Sequence, residues 1–323
     1  MAAAYDREGQ DMGLFKKKKE PERPPEKKQK SPLEEMDPSI RPGGVFMVQL
    51  LMKERCETPS LERAAEVLGR RIGRVEAAEP EKDLASTMEG LSLFAAVEHT
   101  AHFSNGESPV QVSFMPCDTF HPETIDEMRR GQMWDCLADR DCILSECKYC
   151  VFANDILGGG MEPLERANFL MDYLEALLEL FPTCEAVYSL NSGKLVRAET
   201  IRSGETSGLD RYIRYIVNAR FFNISGSEDK LVDTLGMTLL YLEDLQYHFH
   251  SLDPNWLVNH AYNIASYTLA NRRPIKDGDT VDGVRDGALD QELQWLCRFD
   301  NAMVKPDRPV LDIHTGRYAA GNR

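Results

Sequence analysis

"KYCVFANDILGGGMEPLERANFLMDYLEALLELFPTCEAVYSL", residues 148–190, joins a strand pattern, a glycine turn, a long helix pattern and a second strand pattern in one run. In the middle, Leu164, Ala167, Leu170, Met171, Leu174, Leu177, Leu178 and Phe181 recur at helical spacing and form one apolar face. "KYCVFAND" before it and "EAVYSL" after it are rich in strand formers, and "NSGK" (191–194) turns the chain. A helix that must bury one face beside sheet strands sets the class of the fold.

The same mixture extends outward. On the N-terminal side, "VFMVQLLMK" (45–53) reads as a buried strand, "SLERAAEVLGRRI" (60–72) as a helix opened by Thr58-Pro59, and "GRVEAA" (73–78) as a short return strand. "LSLFAAVEHTAHF" (91–103) and "SPVQVSFMPC" (108–117) flank Asn105-Gly106, a hairpin signal. A helical zone, 122–147, follows. On the C-terminal side, residues 198–211 lack an apolar period and contain Gly204 and Gly208, which marks a boundary. Strand patterns lie within 212–225, 230–242, 245–251, 294–299 and 309–313, with a helix over 254–270 that places Pro254 at its start. The expectation is an α+β protein with two sheet-containing domains, 45–205 and 206–323. Their strands are mostly antiparallel, and helices cover one face of each sheet. A doubly wound parallel sheet would need regular strand–helix alternation, which the chain lacks.

Residues 1–44 differ in kind. They hold 10 Lys/Arg and 9 Asp/Glu, many prolines and few apolar residues, so they read as a disordered, charged tail. Met12 offers an alternative start to Met1. The Lys16–Lys19 run reads as a solvated tail, and Gly13 lacks the later Ser/Thr of a myristoylation site. The remaining residues carry 28 bases against 44 acids, a net of −16, and the whole chain −15. That balance argues against nucleic acid and anionic membranes as partners and favours a basic protein. With neither a span of about 20 apolar residues nor a signal peptide, a cytoplasmic address with reduced thiols is expected.

Each patch of possible chemistry has a plainer reading. Cys136, Cys142, Cys147 and Cys150 crowd into fifteen positions, but only the last two have zinc-site spacing, and buried packing explains them better. Gly158–Gly160 lack the Lys-Ser/Thr of a phosphate loop and read as a flexible connection. His99 and His102 fall on opposite faces of one strand. In a strand over 244–250, Asp244, Gln246, His248 and His250 point one way, while Leu245, Tyr247 and Phe249 point into a core. Asp244, His248 and His250 have the donor types of a divalent metal, although an ordinary wet sheet face accounts for them better. "KDGDTVDG" (276–283) resembles a calcium loop without its closing Glu, and a tight turn suffices. No nucleophile elbow, His-Glu-x-x-His or kinase motif is present. No cofactor is implied.

"LVDTLGM" (231–237), "LEDLQYHFHSLDP" (242–254), "AYNIASY" (261–267), "IKDGDTVDG" (275–283) and "WLCRFDNAMVKPDRPVLDI" (295–313) together resemble the C-terminal block of a bacterial family, domain of unknown function 4261. "GQMWDC" (131–136) and "VNARFF" (217–222) fit its earlier part, so the resemblance spans about 45–315. It implies family patterns at Asp233-Thr234-Leu235-Gly236, Leu242 to Gln246 and Asp277-Gly278-Asp279-Thr280, and no activity.

Two functions are expected from these readings. The first is a non-enzymatic, cytosolic, acidic protein-binding module of immunity or adaptor type. The alternative is a metal-dependent hydrolase or small-ligand sensor in the C-terminal part, built from Asp233, Asp244, Gln246, His248, Asp277 and Asp279, with Arg308 orienting an anionic group. A sensor would place its pocket between the two sheets.

Overall fold

The structure, a computed structural model, describes residues 44–78, 89–103 and 106–321. Nearly all of the expected tail, and Asn105 of the expected hairpin turn, lie outside the described residues.

The first sheet is built from β1 (Met47–Met52), β2 (Val75–Ala78), β3 (Ser92–Phe103), β4 (Gly106–Phe114), β5 (Asp118–Thr119), β6 (Tyr149–Ile156), β7 (Ala186–Ser189) and β8 (Leu195–Arg197). Its order is β2-β3-β4-β6-β1-β7-β8, with β5 beside β6, and every pairing is antiparallel. β1 is apolar on both sides because it is central and covered on both faces: Val48, Leu50 and Met52 enter the main core, and Leu51 enters a smaller one. Helix α1 (Leu61–Ile72) is opened by Ser60, whose Oγ accepts from Arg63 N–H at 3.2 Å. The short helices α2 (Glu127–Gly131) and α3 (Arg140–Glu146) belong to the excursion between β5 and β6.

That excursion supplies the smaller core. Cys136, Cys147 and Cys150 pack there with Phe120, Ile125, Met133, Ile143 and Leu144 against Leu51, Ala186 and Tyr188. Burial pushes all three thiols up to about 11. Cys142 is exposed on α3, away from this cluster. Sulfur here fills space, as its spacing suggests.

Helix α4 (Pro163–Leu180) is wider in its buried face than a one-sided pattern implies, since Arg166, Phe169, Tyr173 and Ala176 are buried along with the expected stripe, of which Leu164 alone is only partly buried. It is sandwiched: one side meets the first sheet, where Tyr173 Oη donates to Ser113 O at 2.7 Å, and the other faces the second half of the chain. Arg166 makes the connection explicit. It pairs with Asp155 at 2.9 Å, both side chains 1% exposed, and donates to Leu239 O at 2.6 Å and to Gly44 O.

The glycines at 158–160 are therefore a packing device and not the flexible connection expected. All three are buried in a 3₁₀ turn against the Asp155–Arg166 pair. A Cβ at Gly158 would sit 1.9 Å from Asp155 Oδ2, and one at Gly160 would sit 2.9 Å from the His102 backbone. Gly158→Ala is expected to cost about 1–3 kcal/mol by overpacking. A urea unfolding midpoint unchanged from wild type would refute that placement.

After α5 (Ala198–Arg202) and α6 (Asp210–Tyr215), the second sheet forms from β9 (Asn218–Asn223), β10 (Lys230–Leu235), β11 (Asp244–Phe249), β12 (Thr280–Arg285), β13 (Ala288–Asn301) and β14 (Pro309–His314), in the order β12-β13-β14-β11-β10-β9. Only β11 and β14 run parallel. Helix α7 (Pro254–Ala270) covers one face, onto which Val232, Leu245, Tyr247, Phe249, Trp295 and Leu311 project. The class is thus α+β, with two mostly antiparallel sheets. One apolar core runs through α4 and α7 and touches both.

Candidate functional site

The other face of the second sheet is polar, and at its centre it is not wet. Strand registers place Arg220 beside Asp233, Asp233 beside Gln246, Gln246 beside Asp312 and Asp312 beside Arg298, one polar row across five strands. The loop over residues 302–308 lies on this row. Asp233, Asp244 and Gln246 are consequently fully buried.

Burial on that scale requires pairing. Arg220 grips Asp233 with two donors, Nε at 2.8 Å and Nη2 at 2.5 Å, and sends Nη1 to Lys305 O at 2.9 Å. Arg308 donates to Asp233 Oδ2 at 2.7 Å, to Thr234 O at 2.9 Å and to Val304 O and Pro306 O at 3.0 Å, with Nε 3.2 Å from Asp244 Oδ2. Asp244 also accepts from Met237 N–H at 3.0 Å and from Thr234 and Thr238 hydroxyls. Burial pushes the Asp244 carboxyl up to about 6 although Arg308 opposes it. Gln246 finishes the row, donating to Asp312 at 2.8 Å and accepting from Met303 N–H at 2.8 Å.

Of the residues singled out by sequence, then, Asp233, Asp244 and Arg308 meet, and Gln246 adjoins them. The others lie apart from these four, although Asp277 pairs at 3.2 Å with Arg298, the last residue of the row. His248 has its Nε2 3.7 Å from Asp229. His250 falls just past the end of β11 and bonds Ser251. Asp277 accepts from Phe299 N–H of β13 at 3.0 Å, a long-range bond and not the Asx bond of a tight turn, and Asp279 accepts from Lys276 N–H at 2.9 Å within the turn. Among the described residues no group of three or more His, Cys, Asp or Glu is placed to hold a metal ion. The Arg308 guanidinium is buried, and its Nη1 and Nη2 each donate to two acceptors of the loop and the sheet.

A space of ligand size lies next to this cluster. A cleft of about 360 Å³ opens where the sheets meet, within the range of small-molecule sites. Its walls are α2 with Gln132, the β7–β8 turn over 190–193, the start of β9, and Lys305-Pro306. Each wall is pinned. Asn191 accepts from Met47 N–H at 2.8 Å and donates to Val45 O at 2.9 Å. Gln132 donates to Phe221 O at 2.9 Å and accepts from Phe221 N–H at 2.8 Å, so a side-chain amide pairs with the edge strand β9 as a neighbouring strand would. Behind the turn, the buried Lys194 ammonium bonds Val217 O at 2.8 Å, Tyr262 Oη at 3.2 Å and Asp135 at 2.8 Å. Burial alone would depress Lys194, but Tyr262 and Asp135 outweigh it and hold the group above its ordinary range.

Asn218 forms the floor. It is 1% exposed, and its Nδ2 donates to Ser192 O at 3.1 Å, which leaves Oδ1 buried without a partner. Sequence reasoning missed Asn218, Arg220, Gln132 and Arg129, which also lines the cleft. The one available signal was a polar or charged residue at alternate positions of the otherwise apolar "VNARFF".

Residues 233–314 match a family model described as Domain of unknown function (DUF4261). The match covers the cluster from Asp233 to Arg308 and stops short of β9 and the rest of the cleft. No curated protein and no solved structure matches the chain. Among the described residues no helix is long and apolar enough to cross a membrane.

Proposed function

We propose that this is a non-catalytic binding protein that holds a small molecule in the cleft between its two sheets. The buried Asp233–Arg220–Arg308–Asp244 cluster consumes its own charges and serves as scaffold for one wall. The observation that carries the reading is Asn218 Oδ1: a buried acceptor without a donor costs about 1–3 kcal/mol, and a ligand donor in the adjoining cleft would recover it. Asp277 and Asp279 accept from backbone N–H groups, and among the described residues no group of three or more His, Cys, Asp or Glu is placed to hold a metal ion, so a hydrolytic metal centre draws no support from them.

A second reading keeps a protein partner of basic surface, as the net charge of −15 suggests. Its support is the exposure of Met128, Trp134 and Leu137, at 50%, 43% and 52%, on one short stretch beside the cleft. A cytoplasmic address accords with eight cysteines that are all free thiols.

The test is native mass spectrometry of the full chain after incubation with a cell metabolite extract. A Leu190→Trp variant, which fills the cleft from its β7–β8 wall, serves as control. Wild type is expected to retain a small-molecule mass that the filled variant loses. Equal retention by both, or none by either, defeats the cleft reading.

A further inference from the structure

We infer that the ligand of this cleft is a small anion, a carboxylate or phosphate, that carries a hydrogen-bond donor next to its charged group. The inference rests on the cleft being the binding site and names the chemistry it selects. Two independent features of the lining lead to it.

The first is the Asn218 amide. Its Nδ2 is spent on Ser192 O, which fixes Oδ1 as the acceptor left over at the floor. A ligand seated there must donate, so a group with only acceptors would leave Oδ1 unsatisfied. Hydroxyl, amide or ammonium hydrogens meet the need.

The second is charge. The cleft is lined by Arg129, Arg220 and Lys305 against the single carboxylate of Asp126. Arg220 is neutralised by Asp233 and bonded to Lys305 O, so it shapes the wall more than it attracts. Arg129 and Lys305 remain. Arg129 Nε lies 3.6 Å from Asp126, with both side chains more than half exposed, and Lys305 meets the equally exposed Asp307. Exposed pairs of this kind hold weakly, so either cation can turn to a ligand. On a chain of net charge −15, a cleft with this lining is a place where an anion is not repelled. With the acceptor on the floor and the cations on the rim, a ligand is oriented donor inward and charge outward.

The experiment is isothermal calorimetry on the full chain with matched probe pairs: hydroxy and amino acids each against the corresponding carboxamide, and sugar monophosphates each against the free sugar. An anionic member is expected to bind, with its neutral partner weaker by about tenfold or more, the equivalent of one charge-assisted hydrogen bond. The acid and phosphate arms identify which anion is preferred. Arg129→Gln and Lys305→Gln, both at exposed positions, should each weaken binding and flatten its salt dependence. Asn218→Asp, with a melting curve to confirm folding, should weaken it further by setting a carboxylate against the anion. Neutral members binding as tightly as anions, or affinity untouched by Arg129→Gln and Lys305→Gln together, overturns the anion assignment while leaving the cleft as a site. So does binding to no probe at millimolar concentration when the metabolite-extract experiment still yields a cleft ligand. Failure in both experiments removes the cleft itself.

Discussion

Asp233→Ala is expected to lower the unfolding free energy by about 3–5 kcal/mol, because it strands two buried guanidinium groups at once. Arg220 would lose both of its short bonds to a carboxylate, while Arg308 would keep only Asp244 and backbone carbonyls. The loss comes from unpaired charge and not from lost packing, and that distinction can be measured. Combining Arg220→Met with Asp233→Leu removes the charges together and should recover most of the loss, since a buried pair replaced by apolar residues of similar volume is often neutral. Guanidinium-chloride unfolding of wild type, single and double variants decides it. A double variant no more stable than Asp233→Ala would show that the bonds themselves, more than the stranded charge, hold the 302–308 loop in place.

The second large effect is a hidden dependence on acidity. His260 is fully enclosed, with Nδ1 2.8 Å from Tyr247 Oη, Nε2 2.8 Å from Asp282 O and the Trp295 ring beside it. Burial lowers its pKa from 6.5 to about 4. Between those values the unfolded chain takes up a proton that the folded chain refuses, so acidification favours unfolding by up to about 3 kcal/mol. Asp244 acts in the opposite sense. Its folded carboxyl is raised from 3.8 to about 6, so over nearly the same window the folded chain binds the extra proton, and acidification favours folding by a similar amount. The two contributions offset each other, and the wild-type profile from these groups should be shallow. Asp244→Asn is expected to uncover a steep loss of stability as pH falls from about 6.5 to about 4. Melting temperatures of wild type and variant across that range test it, and parallel profiles would refute the opposition.

How far the chain was legible follows from what periodicity can report. Alternation along β11 assigned Leu245, Tyr247 and Phe249 to the core, and these side chains are buried. It left Asp244 and Gln246 as a wet face because what covers them, residues 302–308, arrives from more than fifty positions away and carries no pattern of its own. The sulfur-rich stretch read correctly as packing, since Cys136, Cys147 and Cys150 lie in an apolar cluster. Gly158–Gly160 read as flexible because the reason for them, the Asp155–Arg166 pair, is a tertiary contact. The cleft was legible only as a location between sheets. Its floor and rim come from β9, α2 and a proline loop, elements that acquire a common purpose only when folded.

The matched stretch opens inside β10, with Asp233 as its first residue and Arg220 left on the far side of the boundary. The matched stretch thus contains only one side of this ionic partnership. A fragment of this chain cut at residue 233 would keep a buried anion with half of its counter-charge missing, together with a ragged sheet margin where β9 belongs.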